Sequence, residues 1–154
     1  MLKKYWYLFA VSMLPIVELR GGVPIGVGMG FPFWQVYLVC VLGNLLPVPF
    51  LLLFGQRLLV WLADWPYVGS FFQRIINKAD KAAHSFGKYE FIGLWGFVAI
   101  PFPGTGAWTG SVAATFLRMP FPRALLAITL GVLTSGLIMG VASYGILEAI
   151  GIFL

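Results

Sequence analysis

Charge is scarce in this chain. Only 10% of its 154 residues are Asp, Glu, Lys or Arg, against roughly 25% in a soluble domain, and 60% are apolar. A single domain of this length has too little interior to hide so much apolar surface from water, so the chain is read as an integral membrane protein. Cys40 is the one cysteine, which excludes a disulfide framework and any multi-Cys metal site. His84 is the one histidine, which excludes paired-His zinc chemistry. The sequence also lacks H-E-x-x-H, G-x-S-x-G and a nucleophile beside a base, while Asp64 and Asp80 both fall in a polar connector. An enzyme, a cofactor and a metal are therefore not expected. The net charge of +5 would suit nucleic acid, but in so apolar a chain basic residues mark the cytoplasmic rim of a membrane protein, and no nucleic-acid partner is expected. Lys3 and Lys4 precede an apolar run as in a signal peptide, yet no small-x-small cleavage site follows, so the segment is read as retained.

What the chain does have is long uncharged windows: Tyr5–Val17, Gly21–Gln56, Phe91–Leu117 and Ala124–Leu147. A spanning helix needs about 20 apolar residues. Ala124–Leu147 meets that length, and so does Phe33–Phe54 within the second window, with a bend expected at Pro47 and Pro49. The first third of that window, with Gly21, Gly22, Pro24, Gly26, Gly28 and Gly30, is unlike a helix interior. Tyr5–Val17 is too short to cross and ends in a charged, glycine-rich turn; Phe91–Leu117 is interrupted by Pro101-Phe-Pro103-Gly-Thr-Gly-Ala-Trp108-Thr-Gly110. Both segments read as re-entrant hairpins, with kinked spanning helices as the alternative.

Sliding the chain by 88 residues aligns 9–55 with 97–143 without a gap, and the matches include Pro15/Pro103, Gly22/Gly110, Pro32/Pro120, Phe33/Phe121 and Gly43/Gly131. Each half is then one hairpin plus one span. A hairpin returns to its own side and a span crosses, so the second half must be inverted, as in many secondary transporters. The expected fold is all-α and integral to the membrane, a single domain over 1–154: repeat one 5–55, a connector 56–90, repeat two 91–145. In the connector apolar residues recur at steps of three and four from Val68 to Phe86, which reads as an amphipathic helix lying in the interface or packed on a partner. His84, one turn after Asp80, reads as a solvated or ion-paired residue. Arg57, Arg74, Lys78, Lys81, Lys88, Arg118 and Arg123 fall on one side and Lys3 and Lys4 on the other, so the connector is expected in the cytoplasm and both termini outside. So few helices enclose a polar cavity poorly, and a homodimer or larger assembly is expected.

Glu18 and Arg20 stand at the first turn, between two apolar runs. Charges there are costly and usually functional, with a local ion pair or a place at the lipid surface as the other readings. Gly21 and Gly22 at the start of the returning half-helix, with Pro24 behind them, let backbone N–H groups approach an anion, and Arg20 adds a planar donor fork. Glu18 is the candidate carrier of a coupling proton. In the second turn Pro103, Gly104, Thr105, Gly106, Thr109 and Gly110 offer backbone and hydroxyl donors, or serve helix packing. Trp108 walls the cavity or sits at the interface. Arg118 and Arg123 flank Pro120 and Pro122, where they draw in an anionic headgroup or act as ordinary cytoplasmic-side cations.

At Glu18-Leu-Arg20-Gly-Gly-Val-Pro24-Ile-Gly26 and Pro101-Phe-Pro103-Gly104-Thr105-Gly106-Ala-Trp108-Thr109-Gly110 the chain resembles the small multi-drug export proteins, compact membrane proteins of prokaryotes, over nearly its whole length. More distantly it looks like the DedA/VTT superfamily, which includes polyprenyl-phosphate carriers and lipid scramblases. That resemblance implies a functional acidic residue in the first hairpin, which Glu18 matches by position, and arginines in the second, which Arg118 and Arg123 match loosely. It implies a multi-pass protein of the prokaryotic inner membrane. The expected function is transport of a small amphiphilic or anionic substrate, such as a lipid-linked phosphate, in contact with membrane lipids and coupled to protons. The alternatives are export of cationic drugs and a non-transporting scaffold or regulatory subunit.

Overall fold

Proline sets where the long helices begin. In the computed structural model, which describes residues 2–151 and, at 75, 79, 80 and 82–87, their backbone alone, Pro32 and Pro120 are the N-cap residues of two helices that both open on phenylalanine. Their ring-fixed φ of −60° and −56° costs nothing at a position whose N–H would go unpaired anyway. The described residues form seven helices and no strand: α1 (Leu2–Met13), α2 (Glu18–Gly28), α3 (Phe33–Leu45), α4 (Val48–Ala63), α5 (Gly69–Ala99), α6 (Ala107–Phe116) and α7 (Phe121–Ala149). The α3–α4 break falls at Leu46 and Pro47, where proline withholds an N–H from the helical ladder. Taken through that break, Phe33–Ala63 is long and apolar enough to cross a membrane, as is Phe121–Ala149, with 31 and 29 residues. Both spans are apolar on faces that meet no protein: Leu38 and Leu42 on α3, Phe50 and Phe54 on α4, Leu126 and Leu137 on α7 are all exposed. A helix apolar all round needs a non-aqueous surrounding, and here lipid supplies it.

Three of the expected boundaries differ. The glycine-rich stretch after Glu18 is helical, and its Gly21, Gly22 and Gly26 serve close packing, facing neighbours too near for a side chain. A Cβ on Gly22 would come 3.1 Å from Cys40 Sγ, and one on Gly26 would come 2.7 Å from Val36 Cγ1. The first turn is therefore residues 14–17, and Glu18 opens α2. The connector 56–90 is no separate element: its start is the last half of α4, and α5 runs unbroken past residue 90 to Ala99. The side chains of Asp80 and His84 lie outside the described residues, as do those of Ile75, Ala79, Ala82, Ala83 and Phe86.

Features recur at the 88-residue offset. The helices α2 and α6 end in the same pair of hydrogen bonds, Phe31 N to Gly26 O and Gly30 N to Val27 O in one, Met119 N to Ala114 O and Arg118 N to Thr115 O in the other. These are Schellman turns, which require a left-handed residue; Gly30 (φ 77°) and Arg118 (φ 51°) fill that place. Close helix approach recurs too. A Cβ on Gly43 of α3 would stand 2.6 Å from the Phe9 carbonyl oxygen of α1, and one on Gly131 of α7 would stand 2.6 Å from Val98 Cβ and 3.0 Å from the Trp95 oxygen of α5. In the interior α1 packs on α3 and α5 on α7, while α2 also packs on α7 and α6 on α4. Each short helix after a break thus touches the long helix of the other half.

These approaches make a first prediction. Gly43→Val meets backbone that cannot rotate away, and should cost about 1–3 kcal/mol by overpacking. Gly93→Val on α5 has nothing within 4 Å of its Cβ and should leave stability nearly unchanged. Thermal unfolding in detergent separates the two; equal effects would mean that α1 and α3 do not approach at Gly43.

Candidate functional site

The two breaks face each other. Glu18, first residue of α2, is only 6% exposed and holds its backbone at φ 49°, a left-handed conformation that costs a non-glycine residue on the order of 1 kcal/mol. The strain aims its carboxylate at the start of α6. Glu18 Oε1 accepts the Trp108 backbone N–H at 3.2 Å, with the Ala107 N–H beside it. The carboxylate thereby caps a helix of the other half, where unpaired N–H groups and the helix dipole favour negative charge. Gly106 is buried directly beneath, and a Cβ there would overlap the carboxylate. Glycine is needed at 106 for space, since its own φ of −151° is ordinary extended backbone.

Arg20, two residues along α2, reaches the same break. Its Nη2 donates to the Ile100 carbonyl at 3.1 Å and to Thr105 Oγ1 at 2.9 Å. Thr105 Oγ1 also lies 2.8 Å from the Ile100 oxygen and 2.9 Å from the Phe102 oxygen, so hydroxyl and guanidinium together tie down the break after α5. Thr109 closes the α6 cap, its Oγ1 accepting the Gly106 N–H at 2.7 Å. Arg20 Nε is buried and has no hydrogen-bond partner, a donor left over after the protein's own bonds are made.

Between these groups lies a cavity of about 370 Å³, lined by Glu18, Arg20 and Gly21 of α2, by Pro103, Gly104, Gly106 and Thr109, and by Met139 of α7. That volume is within the range of small-molecule sites. All of these but Met139 were singled out from sequence, and Thr105 is bonded to Arg20 at the cavity's edge. Gly22 and Gly110 pack against Cys40 and Val98 in helix interfaces, and Pro24 is exposed on α2. Trp108 contributes its backbone N–H to Glu18, while its indole donates to the Met13 carbonyl at 3.0 Å and walls a second, apolar groove. Arg118 lies apart, in a cavity of about 180 Å³ with Gln56 and Met119, and Arg123 is exposed at the start of α7. Sequence reading missed the Ile100 carbonyl and Met139, one a backbone group and the other an unremarkable apolar residue of a span. Among the described residues no three His, Cys, Asp or Glu side chains gather as a metal site would require.

The profile of the family described as "putative small multi-drug export protein" matches residues 18–138, well over half of the chain. No curated protein matches, and no solved structure does.

Proposed function

The chain belongs to the small multi-drug export family, a transporter class, and from that premise we propose that it moves a small amphiphilic anion, a lipid-linked phosphate being the best fit, across the membrane in exchange for a proton carried by Glu18. One observation carries this reading: a buried carboxylate and a guanidinium with an unused donor, Arg20 Nε, share one cavity between two helical breaks. The free fork nitrogen and the glycine-lined approach suit an oxyanion. The carboxylate is seated on N–H groups of α6, from which protonation would release it, coupling its charge to the contact between the two halves.

The recurrence of Schellman turns, proline caps and glycine contacts at the 88-residue offset supports an inverted repeat of re-entrant hairpin plus span. In that arrangement the polar stretch 56–90, the end of α4 and most of α5, is on the cytoplasmic side, both termini are outside, and the host membrane is the prokaryotic inner membrane. The exposed apolar faces of α3, α4 and α7 leave room for a homodimer as well as for lipid. The family's printed description favours a second cargo, a cationic drug, for which Glu18 rather than Arg20 would be the contact.

The test uses vesicles containing the whole protein and a pH-reporting dye inside, with farnesyl phosphate or ethidium added outside. Farnesyl phosphate should accelerate proton movement with wild type and leave Glu18→Gln silent. Acceleration by ethidium alone would replace the anion reading with the drug reading. Silence with both probes would refute proton-coupled transport of either class.

A further inference from the structure

A cavity larger than the charged one takes no part in that site. It is an apolar groove of about 960 Å³ between α4 and α6, walled by Leu46, Leu51, Leu58, Val112, Phe116 and Trp108, and its one charged lining residue is Arg57. Its direction follows from two contacts. A Cβ on Gly55 would come 2.6 Å from Thr115 Oγ1, and Gln56 Nε2 donates to the Met119 carbonyl at 2.9 Å, so Arg57 lies level with the C-terminal end of α6. Trp108 stands two turns back, about 10 Å along α6 at the usual helical rise. On α4 the groove runs from Arg57 back to Phe50, about 10 Å by the same rise, and on to Pro47 and Leu46 in the break before α4. In the other direction it continues past Arg57 to Leu62 and to Phe72 of α5. One leaflet of a bilayer is about 15 Å of hydrocarbon. With Arg57 at the headgroup level, the groove's inner end therefore lies toward the bilayer middle, near the residue whose backbone holds Glu18.

We propose that this groove binds one acyl chain of an anionic phospholipid, with the headgroup phosphate at Arg57 and the chain running along α4 and α6 to Trp108. Charge and length select the occupant together. A phosphate beside Arg57 complements the one cation among the described lining residues, and a single chain from that leaflet covers the apolar wall between Arg57 and Trp108. A zwitterionic lipid would place an ammonium beside Arg57, and a second copy of the chain would have to seat a side chain against the same cation. The assignment is independent of what the Glu18–Arg20 cavity carries.

The test uses the whole protein in phosphatidylcholine vesicles doped with phosphatidylglycerol bearing a photoreactive diazirine at the middle of one acyl chain. Phosphatidylcholine with the same labelled chain is the comparison, and mass spectrometry maps the labelled peptides. The expected result is at least fivefold stronger labelling of residues 50–62 and 112–116 by the phosphatidylglycerol probe. Arg57→Gln should bring that labelling down to the phosphatidylcholine level, and Val112→Trp, which fills the groove at an exposed position, should lower it for both probes. Arg20→Ala should leave it unchanged. Equal labelling by the two probes in wild type would reduce the groove to ordinary lipid contact and overturn the assignment. So would a preference that survives Arg57→Gln, labelling confined to other helices, or a groove closed to both probes by a second copy.

Discussion

Gly106→Ala should abolish transport and destabilise the fold by on the order of 3 kcal/mol, the combined scale of overpacking and of a buried acceptor torn from its donors. The added methyl would overlap the carboxylate of Glu18. Glu18 has little room to retreat: its backbone is fixed at φ 49° in the first turn of α2, and Leu19 behind it is 1% exposed. The carboxylate must leave the N–H of Trp108 or α6 must move. A compensating change separates this account from generic damage at a glycine. Glu18→Asp withdraws the carboxylate by one methylene, so the double variant should be less destabilised than the two single effects added, by a coupling of about 0.5–3 kcal/mol. Unfolding of all four proteins in detergent measures it. Strict additivity would mean that the carboxylate does not sit over Gly106.

The second large effect is at Arg20. Arg20→Ala should lower transport of farnesyl phosphate about 10- to 150-fold, equivalent to the 1.5–3 kcal/mol of a charged hydrogen bond. Arg20→Lys should resemble it rather than wild type, because one ammonium cannot hold Ile100 and Thr105 across the cavity and also present a second nitrogen toward a ligand. Thr105→Ala removes one of these partners and leaves the Ile100 carbonyl in place, so about a tenfold loss is expected. The measurement is initial transport rate in vesicles matched for protein content. Full activity in Arg20→Lys would show that charge alone is required and that the planar fork is not.

Much of the site was legible in the residues. Glu18 and Arg20 stood out because a charge between apolar runs is costly, and the Pro-Gly-Thr-Gly segment stood out because such residues interrupt a helix. Both do face one cavity. Arg118 and Arg123 were grouped with them because they flank Pro120 and Pro122 after the second break and loosely match the arginines that the resemblance implies there. In space Arg118 turns away to Gln56 and Met119, since α6 carries the chain two and a half turns from Glu18 before either arginine is reached. Gly22 and Gly110 pack helices together, a role the sequence left open for Gly110 and did not offer for Gly22. A glycine that bends a backbone toward a ligand and one that lets two helices touch are the same letter, and only the neighbours Cys40 and Val98 tell them apart.

Composition and spacing by themselves determined the solvent and the plan of the chain. Few charges and long apolar windows demand a bilayer, and prolines and glycines repeated 88 residues apart place the breaks, because both act through local backbone geometry. Which groups meet across the breaks was decided by tertiary structure alone. Glu18 caps α6, Arg20 holds Thr105, and Trp108 divides a charged cavity from an apolar groove. These pairings join residues 80 to 90 apart, brought together by helices crossing between halves, and no periodicity within either half encodes that crossing.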